Sequence, residues 1–328
     1  MYDFEHKELL RPRDIRSIRP FLRVWRRIVM PGKVTMVTNR TVAAVSLWLS
    51  LGAAAGGAHA DTVIYTENSL YRPIVVSESF GTRCLRFNRH SNSEQSCISL
   101  KNPDSLVFDC NKMMLGALYL RPNPRRVLMI GLGGGTLVSA LSRVVPESEI
   151  DVVEIDPSIV RVAKEYFNFR PSPKVRVTVS DGRVFVKRAL SRGEKYDLIM
   201  LDAFDQRYIP PHLLTKQFLN EVKKILTADG VLAANTFYFS DRYDDESVTY
   251  ESVYGSFFNL RKALKNPRVI IARQNGLPPR EVLAKNSKAL EEKMLPVGVE
   301  ASWLLPLFST EPDWDANGQV LTDQFSPY

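Results

Sequence analysis

From residue 125 onward the chain repeats one pattern: a short unbroken apolar run, then a stretch with apolar positions three or four apart, then another run. Short apolar runs bounded by turn residues are buried strands, and a spacing of three to four is the stripe of an amphipathic helix. The pattern predicts strands over 127–130, 150–155, 175–179, 196–201 and 231–237, with helices over 136–145, 157–167, 182–190 and 211–226. Apolar strands joined by crossover helices imply an α/β domain with a parallel-rich, doubly wound sheet. The stretch ahead of it has another rhythm. Residues 62–65, 74–77, 83–87 and 96–100 alternate and are rich in β-formers, which predicts strands. The polar segment 88–94 reads as a hairpin loop. A broad apolar face over 104–120, carrying Leu106, Met113, Met114, Ala117 and Leu118, predicts a helix that Arg121-Pro-Asn-Pro124 ends. The expected organisation is a leader over 1–60, a small β-rich domain plus helix over 61–120, and the α/β domain over 121–328.

The leader carries its own pattern. Residues 41–58 hold no charge, follow Arg40 and end in Gly/Ala-rich sequence and Ala58-His59-Ala60. A basic start, an apolar centre and an A-x-A end are the parts of a secretory signal peptide, cleaved after Ala60. The expectation is an exported chain, periplasmic or otherwise outside the cytoplasm. The alternatives are an uncleaved membrane anchor through residues 41–58, or a cytoplasmic chain in which this run is a core helix. Residues 1–35 would be a long n-region or lie upstream of a true start at Met36.

Charge changes the picture less than its total suggests. Of the net +8, +6 resides in residues 1–60, which hold ten Lys/Arg and four Asp/Glu. The body is nearly neutral, so no nucleic-acid partner is expected. A hydrophobic fraction of 45% and a charged fraction of 24% exclude a disordered chain, a fibre or a multi-span membrane protein. Three scattered Cys make neither a disulfide scaffold nor a zinc ribbon, so no metal is expected.

Candidate chemistry collects at strand ends. The first strand of the α/β run leads into Gly131-Leu132-Gly133-Gly134-Gly135, where glycines allow a tight turn and close approach to a ligand at a helix N-terminus. Such turns also serve only to pack helix on strand. Glu154 lies at the end of the second strand, where a carboxylate can accept both hydrogens of a ribose diol. Asp181-Gly182 ends the third, where a side-chain oxygen can meet an adenine amino group. Either acid alone could be a helix N-cap, but acids at successive strand ends favour a nucleoside pocket. Asp202 ends the fourth strand, with Asp205 just beyond. Paired carboxylates can bind a cationic amine and take a proton from it. The competing reading is one cap and one loop acid.

The glycine turn, Val153-Glu-Ile-Asp156, Ser180-Asp-Gly182 and Tyr196-Asp-Leu-Ile-Met-Leu-Asp-Ala-Phe-Asp205 stand in the order and spacing of the spermidine synthase family, whose divergent spermidine synthase-like branch this chain most resembles. Glu67-Asn-Ser-Leu-Tyr-Arg-Pro-Ile74 looks like the opening strand of that family's N-terminal β domain, and the resemblance runs from about residue 62 through Leu321-Thr-Asp323. It implies a Rossmann-like methyltransferase-type fold and transfer of an aminopropyl group from decarboxylated S-adenosylmethionine to an amine such as putrescine, by a homodimer. Carried over by motif, Gly131, Gly133, Gly135, Glu154, Asp181 and Gly182 hold the nucleoside, Asp202 is the acid/base, and Asp205 and Tyr71 face the amine.

Three positions depart from the family. Gly134 stands where the glycine loop usually carries an Asp that contacts the amine, Arg72 stands for the usual Gln, and the usual Tyr-His-Glu is missing around 108–111. Loss of an acid admits a carboxylate-bearing ligand, with Arg72 as counter-ion. S-adenosylmethionine and methyl transfer are therefore the second reading. Exported binding of a nucleoside or polyamine without catalysis is the third.

One further expectation joins the leader to the cysteines. A hairpin centred near residues 90 and 91 sets Cys84 opposite Cys97, because paired positions in an antiparallel ladder sum to a constant. In an oxidising compartment such a pair closes to a disulfide, leaving Cys110 as a single buried thiol.

Overall fold

The computed structural model describes residues 61–88, 93–204, 209–262 and 267–324. The leader and the apolar run 41–58 lie outside the described residues; within them no helix is long and apolar enough to cross a membrane.

The front of the chain is an antiparallel meander of β1 (Thr62–Asn68), β2 (Pro73–Ser79), β3 (Thr82–Arg86) and β4 (Glu94–Ser99), in that order. Cys84 and Cys97 are directly paired across β3 and β4, with Cα atoms 4.1 Å apart, and form a disulfide; Cys110 is free and buried.

The main sheet has seven strands: β5 (Arg126–Ile130), β6 (Glu149–Glu154), β7 (Val175–Val179), β8 (Tyr196–Leu201), β9 (Leu226–Phe237), β10 (Phe258–Arg261) and β11 (Pro267–Arg273). Their order is β10-β11-β9-β8-β5-β6-β7. The strands from β9 to β7 pair in parallel, while β11 runs antiparallel to β9 and β10 antiparallel to β11. Strand β5 shows why the sheet must be covered twice. Val127 and Met129 enter one apolar core while Leu128 and Ile130 enter the other, as the two-residue period of a strand requires.

The helices are α1 (Asp109–Leu115), α2 (Thr136–Val144), α3 (Pro157–Tyr166), α4 (Gly182–Ser191), α5 (Lys216–Ile225), α6 (Tyr243–Tyr254), α7 (Arg280–Met294) and the short α8 (Ala301–Leu304). Helix α3 also lends Ile159 and Val162 to a third cluster with Ile74, Val76, Leu85 and Ile98 of the meander. That cluster seats the N-terminal sheet beside the carboxyl edge of the main one.

Two expected helices are shorter than their patterns. The apolar face over 104–120 begins as α-helix only at Asp109, because Leu106 forms a bridge with Ile98 and its N–H donates to the Val297 carbonyl. Residues Gly116–Tyr119 continue as a 3₁₀ turn. The stretch 211–226 splits: Pro211–Leu213 is a 3₁₀ turn, and the Thr215 hydroxyl then accepts from the Phe218 N–H at 3.2 Å to cap α5. The strand expected over 231–237 begins earlier, at Leu226.

The C-terminal third of the sheet is held by a buried cation. Arg268 of β11 is fully buried; it donates to Asn259 Oδ1 at 2.8 Å and Ser247 Oγ at 2.9 Å, and stacks over Tyr243 at 4.1 Å. Asn259 and Tyr243 both donate to Asp313, and Trp314 stacks on Phe257. The chain beyond Asp313 is thereby pinned against α6, and it ends on α4, where Asp323 pairs with Arg183 at 2.7 Å.

Candidate active site

The first turn of the site is dictated by two strand ends that nearly touch. The Asp202 N–H donates to the Ile130 carbonyl at 2.8 Å, which brings the end of β8 against the end of β5. Gly131 then has φ +98°, and a Cβ there would lie 2.4 Å from the Asp202 carbonyl oxygen, so only glycine fits. Gly134 explains a departure from the family. A Cβ at 134 would meet Ser96 Oγ at 2.7 Å and the Phe167 ring at 2.9 Å, so the space an Asp side chain would need is already filled. Gly133 lines the cavity that follows, whereas Gly135 lies under the Phe169 ring at the start of α2 and does not.

That cavity, of ≈ 140 Å³, is lined by Gly131, Gly133, Glu154, Asp181, Gly182 and Asp202 among others. Glu154 is held open by the backbone: Oε2 accepts from the Leu132 N–H and Oε1 from the Asp156 N–H, both at 3.0 Å. Each oxygen keeps a lone pair for a diol. Burial raises the affinity of Glu154 for a proton, and the two backbone donors and Arg72 oppose that. Asp181 is both things the sequence allowed. Oδ1 caps α4 through the Val184 N–H at 2.9 Å, while Oδ2 pairs with His212 Nε2 at 2.8 Å on the cavity wall. Tyr71 and Arg72 line this cavity too, Arg72 lying over the Phe87 ring at 4.4 Å. Tyr71 thus stands at the first cavity; it does not line the second.

A second cavity of ≈ 400 Å³ opens beyond Asp202 and shares Gln95 and Phe204 with the first. Its walls include Phe108, Met113 and Phe237. Asn235, also in its lining, donates through Nδ2 to Asp202 Oδ1 at 2.8 Å. Burial pushes the Asp202 carboxyl up to about 7, against the opposing hydrogen bond from Asn235. A carboxylate so poised can take a proton near neutrality. Cys110 lines this cavity, but burial and the Asp202 charge push its thiol up to about 12, so it is not a ready nucleophile. Asp205 lies outside the described residues.

Several lining residues carry no signal in a motif. Gln95 and Ser96 come from β4, Asn111 from α1 and Thr136 from α2; Asn111 Nδ2 donates to Thr136 Oγ1 at 3.3 Å. They converge only because the meander docks on α3. Asn235 did have a signal, as a polar residue at the end of an apolar strand in line with Glu154 and Asp202. One group of metal-ligand types, Cys84, Cys97 and Glu94, clusters among the described residues, but the two sulfurs are joined and offer no thiolate.

A family model described as the spermine/spermidine synthase domain matches residues 109–276. A polyamine aminopropyltransferase of Vibrio vulnificus is 43% identical over 269 residues, covering 81% of this chain and 90% of that protein. An eEF1A lysine and N-terminal methyltransferase of Xenopus laevis is 36% identical over 156 residues, covering 43% of this chain but 22% of that protein. A spermidine synthase solved in complex with the transition-state analogue AdoDATO superposes with a TM-score of 0.56 at 20% identity, over 77% of this chain and 85% of that one.

Proposed function

The chain belongs to the spermine/spermidine synthase family, and from that premise we propose that it is an aminopropyltransferase with decarboxylated S-adenosylmethionine in the first cavity and an amine acceptor in the second. One observation carries this reading: Asp202, whose carboxyl is brought to about 7, lines the first cavity and accepts a hydrogen bond from Asn235, which lines the second. Glu154 is placed to accept from the ribose hydroxyls and Asp181 from the adenine amino group.

Chemistry follows from position. The acceptor nitrogen attacks the aminopropyl methylene beside the sulfonium, the C–S bond breaks, and its electron pair passes to sulfur, releasing methylthioadenosine. The new secondary ammonium forms, and Asp202 accepts the proton that the acceptor nitrogen must shed to expose its lone pair. A sulfonium leaves readily, so alignment of the two ligands contributes most of the rate. The homodimer implied by the family, and an oxidising compartment consistent with the Cys84–Cys97 bridge, belong to the same proposal.

The test uses the chain lacking residues 1–60 and the full chain side by side. Each is incubated with putrescine and either decarboxylated S-adenosylmethionine or S-adenosylmethionine, and methylthioadenosine and S-adenosylhomocysteine are quantified. Methylthioadenosine with spermidine is the expected product pair. S-adenosylhomocysteine alone would replace aminopropyl transfer by methyl transfer in the same fold.

A further inference from the structure

The second cavity has, among the described residues, more carboxylates in or beside it than cations. Among the described residues, the carboxylates in or beside it are Asp202 (reached through Asn235), Glu94 and Asp109. Its one cation among the described residues, Lys262, is 2.8 Å from Asp109 and stacked near Trp303, so that pair is balanced. Glu94 makes no side-chain hydrogen bond or ion pair among the described residues. Arg86, a cation whose charge acts on it, is bonded to Asp61 at 2.6 Å. Partial burial accordingly raises the proton affinity of Glu94.

A second observation is independent of the acids. Gln95, 9% exposed and shared by both cavities, has a buried Oε1 with no hydrogen-bond partner among the described residues. A buried acceptor left open is destabilising unless a ligand supplies the donor. The walls of this cavity include the apolar side chains Phe108, Met113, Phe204 and Phe237. The complementary ligand has a hydrocarbon stem, a reacting amine at one end and a second ammonium at the other.

We propose that Glu94 is the residue that reads the second ammonium of a diamine acceptor, with Gln95 Oε1 accepting an N–H beside it. This rests on the aminopropyltransferase reading above. Glu94 is a specificity residue: it fixes which amine is held and for how long, and takes no proton from the reacting nitrogen. Because Glu94 stands at the exposed rim of the cavity, its contribution is that of a partly screened ion pair, worth a few-fold and not orders of magnitude.

The experiment measures steady-state kinetics of the full chain with 1,3-diaminopropane, putrescine, cadaverine and the monoamine butylamine. Wild type is compared with Glu94→Gln and Glu94→Asp. For Glu94→Gln the putrescine KM is expected to rise about three- to fivefold, with kcat and all butylamine parameters unchanged. For Glu94→Asp, whose carboxylate is drawn back by one methylene, the preference is expected to move toward cadaverine. Equal losses for putrescine and butylamine, or no change with either variant while wild type transfers, would overturn the assignment of Glu94 and leave the aminopropyltransferase reading standing. Wild type that transfers to no amine at all would overturn that reading, and the role of Glu94 with it.

Discussion

The two cavities share Gln95 and Phe204 yet are finished to different degrees. In the nucleoside cavity, Glu154 is met by two backbone N–H groups and Asp181 by a backbone N–H and an imidazole. In the acceptor cavity, Asp202 has one amide, Glu94 has no side-chain partner among the described residues, and Gln95 has an open oxygen. The nucleoside half is pre-organised by secondary structure itself, since strand ends and helix starts supply its donors wherever the fold forms. The acceptor half is assembled from side chains of β4, α1, β9 and β10–β11, and waits for a ligand to complete it. The departures from the family do not follow that division: Arg72 lines the first cavity and Gly134 lies in its glycine turn, while Phe108, Asp109 and Cys110 line the second.

The hardest blow to this contrast comes from Asp202→Asn. Turnover is expected to fall ~10²–10⁴-fold while methylthioadenosine affinity stays within about twofold; loss of nucleoside binding in the variant would merge the two halves into one. Wild-type kcat/KM should rise with pH through about 7, since the base works deprotonated. The same shift has a sign for stability. The native state holds a proton on Asp202 that the unfolded chain releases near its ordinary value, so this group's stabilisation is full below about pH 4 and is lost as pH rises through about 7. Asp202→Asn is therefore expected to raise Tm at pH 8 and to leave it nearly unchanged at pH 4, read by calorimetry.

Next in size is Glu154→Gln. It replaces one of two acceptors with an NH₂ that faces a backbone N–H, and methylthioadenosine binding is expected to weaken by about 1.5–3 kcal/mol in titration calorimetry. An unchanged Kd in a folded variant would remove ribose from this residue. Smallest for the chemistry is Cys84→Ser with Cys97→Ser. Opening the bridge is expected to cost up to ~3 kcal/mol of stability, seen in urea titration, with putrescine KM affected more than methylthioadenosine Kd because β4 carries Glu94. Intact-mass analysis after alkylation without reductant is expected to show one modified cysteine; three would mean that the bridge does not form in the cell.

What the sequence made legible follows the same division. The parallel strands announced themselves through apolar runs, and Glu154, Asp181 and Asp202 through their place at strand ends. The Cys84–Cys97 pairing followed from a hairpin sum. Helix α6 did not show, because it buries Glu246, Ser247 and Thr249 together with Tyr243, Tyr250, Val253 and Tyr254, and the polar members interrupt the apolar spacing that would have marked it. Strands β10 and β11 were not read for a related reason: the first is only four residues long and the second opens with Pro267. Gln95, Ser96 and Asn111 were silent since their role depends on how the meander sits on α3, which no local pattern encodes.

The strap after Asp313 gives the molecule a remote handle. None of its described residues lines either cavity, yet it closes on Arg183, in the first turn of the helix that Asp181 caps, and on the Thr215 hydroxyl that starts α5. Clipping by a protease after residue 312 would strip Asp313 from the Arg268 cluster and Asp323 from Arg183 in one stroke. On the role proposed for Asp181, a trimmed chain is then expected to bind the nucleoside more weakly through an injury made far along the sequence, and anyone adding a purification tag does better to extend this end than to shorten it.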